Sequence, residues 1–190
     1  DVLGSRGLGD VYKRQRLEVF QDIFIFQCHI GCRVGDLFKM TPENIIGDNL
    51  EYIPRKTKEG HPYTVSVPLT KTAREIVVKY SAEATISGKL LPFTYEQEYN
   101  KAIKDIFEEV GITRMVTFLN PTTREETKVP INTIAASHMA RRTFIGNMYK
   151  KAKNATLVGA LSGHVEGSRA FARYRNIDDE MKKELISIIE

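Results

Sequence analysis

Apolar residues in the first part of the chain recur at helical spacing. Leu17, Phe20, Ile23, Phe24 and Cys28 fall near one face of a 3.6-residue period, which predicts a buried amphipathic helix over 16–31. Gly31 is its expected end. Positions 34–40 predict a second short helix. Thr41-Pro42-Glu43-Asn44 predicts a fresh helix start, with proline at the first position, where its missing N–H is no loss. Gly47-Asp48-Asn49 reads as a turn. Apolar and polar residues then alternate over 50–54 and 63–68 around Glu59-Gly60, the pattern of a hairpin. Helical periodicity returns over 70–82 and 95–110. Residues 113–119 and 126–129 flank Asn120-Pro121 and predict a second hairpin. From Pro130 onward the pattern is helical, over 131–136, 138–152, 155–162, 167–175 and 178–190. Asp178 and Asp179 suit the first turn of the last helix. No internal repeat interrupts this order. The expectation is a mostly α chain with a small antiparallel β-sheet, an α+β fold.

Residues 1–15 carry no apolar periodicity. The string SRGLGDVYKRQ, residues 5–15, resembles a translated transposon-end adapter of the kind used in preparing sequencing libraries. Residues 1–15 are therefore expected to be an adapter-derived or disordered tail, and 16–190 one domain of a longer protein.

Composition narrows the class. The chain has 190 residues, 42% hydrophobic and 27% charged, enough to bury the core of one domain. No apolar run is long enough for a membrane span. Cys28 and Cys32 are too few for a disulfide scaffold or a thiolate metal site. The net charge of +4 permits a polyanionic partner without requiring one. Its distribution is less even than the total. Residues 128–165 hold six lysines or arginines and no acid: Lys128, Arg141, Arg142, Lys150, Lys151 and Lys153. A bare basic run is ordinarily a solvated face. Here two arginines lie within one helix turn of a histidine, and tyrosines punctuate the region, which suits a phosphate backbone.

The candidate chemistry forms one ordered set. His138 and Arg141 are three apart and share a helix face behind Ser137, a good cap. Alone, such a pair is common on surfaces. His164 follows Ser162-Gly163 at a helix–turn junction, and Tyr174 lies beyond the next short helix. Upstream, Arg33 follows the expected helix end at Gly31-Cys32, with Asp36 near enough in sequence to hold its guanidinium. Lys56 and Lys58 stand in Arg55-Lys56-Thr57-Lys58, within the first hairpin.

The order arginine, lysine, His-x-x-Arg, histidine, tyrosine resembles the catalytic domain of the tyrosine recombinases, the phage-integrase family. The resemblance covers nearly all of 16–190. Gly31-Cys32-Arg33-Val34-Gly35-Asp36-Leu37 is similar to the family's first box, with Cys32 in place of the common leucine. Ser137-His138-Met139-Ala140-Arg141-Arg142-Thr143-Phe144 is similar to the second box. Leu161-Ser162-Gly163-His164 and Tyr174-Arg175-Asn176-Ile177 are similar to the final histidine and nucleophile segments.

The resemblance implies a site-specific recombinase or integrase of double-stranded DNA, active without metal, ATP or other cofactor, and of a kind carried by mobile genetic elements. Tyr174 would be the nucleophile, and Arg33, Arg141 and His164 would contact the phosphate. His138 would be the general base, or the cationic surroundings would activate Tyr174, and Lys56 would be the general acid. Lys58 remains an alternative, because a shift of two residues keeps the same strand face. Asp36 would hold Arg33. Arg142, Lys150, Lys151 and Lys153 would contact DNA. The resemblance also implies a homotetramer on DNA with exchange of helix 178–190, an N-terminal clamping domain outside this sequence, and action on bacterial DNA in the cytoplasm. A type IB topoisomerase and a non-catalytic DNA-binding module are the alternative readings.

Overall fold

The computed structural model describes residues 2–55, 62–92, 95–152, 154–164 and 186–187. Helix α1 (Val2–Ile30) lies at the centre and packs against α3 (Lys71–Lys79), α5 (Glu96–Glu109) and α7 (His138–Ala152). Phe20, Ile23, Phe26 and Ile30 form its buried stripe. Fully burying each such side chain contributes about 1.5–3 kcal/mol. The helix does not begin at residue 16. It continues back to Val2. Lys13 and Arg14 lie beside Asp105, Glu108 and Glu109 of α5, and Arg16 pairs with Glu98. Opposed charges thus face each other along a stretch where apolar periodicity gave no signal.

Gly31 ends α1 with φ +72°, a left-handed conformation that glycine adopts without penalty. Its α-carbon also faces the ring of Phe144 on α7, which an added methyl would overlap. Gly31→Ala is expected to destabilise the fold by about 2–4 kcal/mol, from left-handed strain plus overpacking. Urea denaturation of the two proteins checks this.

The following elements are shorter than their patterns suggest. Helix α2 covers only Val34–Leu37, and Pro42–Asn44 makes one 3-10 turn instead of starting a helix. Asn44 closes that turn by accepting the Thr41 N–H at 2.8 Å. The next residues enter a sheet that the sequence pattern did not show. Strand β1 (Ile45–Ile46) pairs with β2 (Asn49–Tyr52) around Gly47, whose φ of +58° suits a tight hairpin turn. Two residues are too few for alternation to register. Strand β2 in turn pairs with β3 (Val65–Pro68), antiparallel, with Leu50 opposite Val67 and Tyr52 opposite Val65. These four side chains are buried against the helices.

The expected helix over 70–82 is two helices. Thr70 caps α3, accepting the Ala73 N–H at 3.2 Å. The backbone breaks at Tyr80, and α4 (Ser81–Ser87) follows. The break lets the buried Tyr80 donate its hydroxyl to Asp22 of α1 at 2.8 Å. Strands β4 (Met115–Leu119) and β5 (Glu126–Pro130) form the expected second hairpin. Helices α6 (Ile131–Ile134), α7 and α8 (Ala155–Ser162) follow the sequence pattern closely. The expected helices 167–175 and 178–190 lie outside the described residues, apart from 186–187. No helix among the described residues is long and apolar enough to cross a membrane.

Candidate active site

Helix α7 presents Ala140, Arg141, Phe144 and Ile145 to the core. Arg141 is therefore carried inward on an apolar face and is only 1% exposed. A buried guanidinium must find acceptors. Its Nη1 donates to the Gly31 carbonyl at 2.6 Å, and its Nη2 stands 3.1 Å from both ring nitrogens of His164. Equal distances set the cation against the imidazole ring and off the axis of either lone pair.

The tautomer of His164 follows from Ser162. That hydroxyl has one hydrogen, which it donates to the Val158 carbonyl at 2.7 Å. The Ser162 oxygen is then an acceptor for His164 Nδ1, 2.9 Å away, so Nδ1 carries the proton and Nε2 the lone pair. Burial, and then the cations Arg141 and Arg33, push the ring from its ordinary 6.5 down to about 3. His164 is thus neutral at pH 7. Ser162 engages its Nδ1, and Arg141 Nη2 lies against the ring beside Nε2.

Gly163 makes this placement possible. It ends α8 at φ +68°, and the His164 N–H returns to the Gly159 carbonyl at 3.0 Å, a six-to-one closure of the helix end. A methyl on Gly163 would stand 3.1 Å from both Pro54 and Val65 of the first hairpin.

A pH dependence follows. The His164 pKa is depressed by folding, so as pH falls below 6.5 the unfolded chain takes up the proton first. Stability therefore declines from about pH 6.5 towards about 3, where the folded protein also protonates. Between pH 7 and 4.5 this one group is expected to remove about 2–3 kcal/mol. The unfolding free energies from urea titrations at the two pH values should differ less in His164→Asn by that amount.

A cleft of about 340 Å³ opens between the α1–α2 turn and the start of α7. Arg33, Asp36, Arg55, His138 and Arg141 line it. Arg33 caps the front of α2, and its buried Nη1 has no hydrogen-bond partner among the described residues. The expected pairing of Asp36 with Arg33 is not made. Asp36 Oδ1 instead accepts the Arg55 N–H at 2.9 Å, and its Oδ2 has no hydrogen bond among the described residues. Asp36 thereby fixes the backbone immediately before Lys56. His138 begins α7 at the surface. Partial desolvation, then Arg141, Arg142 and Arg33, lower its pKa and keep it neutral at pH 7.

Arg142 is exposed beside this cleft, but Lys150 and Lys151 are not part of it. They lie three turns further along α7, about 18 Å from His138 at 1.5 Å per residue. There they also suit the negative end of the helix. Lys56, Lys58, Lys153 and Tyr174 fall outside the described residues. The two cysteines are free, and burial pushes both thiols up to about 12, so neither is a thiolate nucleophile at neutral pH. Among the described residues, no three of His, Cys, Asp and Glu are grouped to hold a metal ion.

Sequence reasoning missed several supports. Gln27 lines the cleft and is 1% exposed. Ser162 sets the His164 tautomer. Tyr63 has a buried hydroxyl with no partner among the described residues, near the turn at Gly163. Only Gln27 left a usable sign, an amide on the apolar stripe between Ile23 and Ile30.

The sequence matches no family model and no curated protein. The fold has clear solved counterparts. A XerH site-specific recombinase bound to a palindromic difH substrate, in a post-cleavage complex, has a TM-score of 0.63 and 16% identity over 92% of this chain and 46% of that one. A XerA recombinase has a TM-score of 0.59 and 13% identity over 92% of this chain and 61% of that one. A lambda integrase dimer bound to a COC′ core site has a TM-score of 0.58 and 16% identity over 85% of this chain and 53% of that one. This chain thus spans about half the length of the recombinases it matches. The described residues have the tyrosine recombinase catalytic-domain fold.

Proposed function

We propose that this chain is the catalytic part of a site-specific DNA recombinase that cleaves and rejoins strands through a 3′-phosphotyrosine. The observation that carries the reading is the convergence of Arg33, His138 and Arg141 on one cleft, with a buried Arg33 Nη1 left without an acceptor among the described residues. An unpaired buried donor of this kind fits an anion. A DNA phosphate supplies two non-bridging oxygens for two guanidinium forks.

Tyr174 Oη attacks the scissile phosphorus, and a P–O bond to tyrosine forms as the P–O5′ bond breaks. A phenol near pKa 10 needs its proton removed, and a neutral His138 takes it. Lys56 or Lys58 donates a proton to the departing 5′-oxygen. Arg33 and Arg141 neutralise charge that grows on the equatorial oxygens. His164 acts by holding Arg141. A second 5′-hydroxyl then attacks the phosphotyrosine and reseals the strand, which conserves the bond energy without ATP or metal. The protein works on double-stranded DNA as a homotetramer that exchanges helix 178–190. It carries a clamping domain upstream and acts in the bacterial cytoplasm. Arg142, Lys150, Lys151 and Lys153 contact the DNA backbone.

The test uses protein from the whole open reading frame and a pool of nicked suicide duplexes with randomised cores, in EDTA. An SDS-resistant adduct whose linked peptide contains Tyr174 supports the reading, and sequencing the trapped DNA gives the site. Specific binding with no adduct overturns it in favour of a non-catalytic module. An adduct accompanied by plasmid relaxation without strand exchange overturns it in favour of a topoisomerase.

A further inference from the structure

Two consecutive residues of α5 reach the two halves of the cleft. Tyr99, fully buried, donates its hydroxyl to Gln27 Oε1 at 2.9 Å. Gln27 Nε2 donates to the Cys32 carbonyl at 3.0 Å, on the residue before Arg33. Asn100 Oδ1 accepts the Ser137 N–H at 2.8 Å, on the residue before His138. The Gln27 orientation is forced, because a backbone carbonyl can only accept, which leaves Oε1 to face the tyrosine hydroxyl. Burial pushes the Tyr99 phenol up and keeps it a neutral donor. Between these two ties, the Gly31 carbonyl holds Arg141. One helix therefore ties, through adjacent side chains, the carbonyl just ahead of Arg33 (by way of Gln27) and the N–H of the residue before His138.

We propose that Gln27, Tyr99 and Asn100 are positioning residues that set the separation of Arg33 from His138 and Arg141, and so the width of the anion seat. This rests on the reading of that seat as the place of the scissile phosphate. Two arginine forks must span one phosphate, and a displacement of about 1 Å can slow a positioned reaction ~100-fold. The polar groups involved are few, and no general packing change is needed to alter them. Tyr99→Phe keeps the ring stacked on Phe20, at 5.9 Å and 29°, and removes only the hydroxyl.

The test compares Tyr99→Phe, Asn100→Ala, Asn100→Asp and the Tyr99→Phe/Asn100→Ala double variant of the full-length protein. Each is confirmed folded by circular dichroism. Adduct formation at saturating suicide duplex is expected to slow ~10–100-fold in Tyr99→Phe and Asn100→Ala. DNA affinity should stay within about threefold of wild type, because many phosphate contacts elsewhere supply it. Asn100→Asp keeps the acceptor and should keep the rate. The double variant should lose less than the product of the singles, since both act on one spacing. Gln27→Glu should be inactive at pH 8 and recover in acid. Its protonated form offers an O–H to Cys32 and a carbonyl to Tyr99, as the amide does. Unchanged rates, or losses confined to DNA affinity, or equal losses in Asn100→Asp and Asn100→Ala, overturn the proposal. A second readout separates it from the function. Inorganic phosphate titrated against the arginine Nε–H signals should bind more weakly in Tyr99→Phe and Asn100→Ala. If wild type forms no adduct but this weakening appears, the recombinase reading fails and the brace stands. If wild type forms adduct and all variants match it, the brace fails alone.

Discussion

Tyr174→Phe is expected to leave no covalent protein–DNA adduct at any time of incubation, with DNA binding kept. The change removes one oxygen and keeps the ring, so what it deletes is the proposed nucleophile. Variants that only weaken stabilisation of the transition state slow the approach to the same end point. Loss of the nucleophile abolishes the end point, because no P–O bond to protein can form. Three further thiol and phenol groups, among the described residues, are not expected to substitute. Cys32 is buried with its thiol pushed up to about 12, and Tyr52 and Tyr63 have phenols raised by burial. The measurement is a denaturing gel of the suicide-duplex reaction over hours, with binding followed by fluorescence anisotropy. A wild-type amount of adduct in Tyr174→Phe would move the nucleophile to another residue.

Arg141→Lys is expected to slow adduct formation by about 10²–10³, the loss typical of removing one donor to a developing oxyanion. The charge is conserved, so a purely electrostatic role would survive. The geometry is not conserved. Arg141 reaches the Gly31 carbonyl with Nη1 and the His164 ring with Nη2, and it lines the cleft. An ammonium is a single point with a strong hydration shell and cannot span these partners as a planar fork does. Desolvation at a site 1% exposed also disfavours the charged lysine. Single-turnover adduct formation at saturating DNA measures the rate. A loss of less than tenfold would mean that Arg141 serves the fold alone.

The sequence showed the helical stripe of α1 from Leu17 onward, the second hairpin, and α7 and α8 nearly to the residue. Periodicity is a local property, and these segments are long enough to display it. It failed where structure depends on a distant partner. Strand β1 exists because Leu50 and Asn49 are beside it, and two residues carry no alternation. The break at Tyr80 goes with a hydrogen bond to Asp22, far back on α1. The early part of α1 is matched by acids on α5 that no local window includes.

The candidate site divides in the same way. Which residue types stand in which order was legible, since Arg33, His138, Arg141 and His164 are spelled out in short motifs. Their sharing one site was expected from the family resemblance alone; the contacts that hold them along one cleft were not legible. Arg141 meets Gly31 across 110 positions of chain, and Tyr99 meets Gln27 across 72. Nor did the sequence reveal that Asp36 would hold the Arg55 backbone instead of Arg33, or that Ser162 would fix the His164 tautomer with Arg141 set against its ring. By itself the sequence determined the chemistry available and the local elements that carry it, because both are written within a few turns of chain. Only the tertiary structure decided distances, tautomer and burial. Those depend on desolvation and on hydrogen-bond partners that folding brings together from opposite ends of the domain.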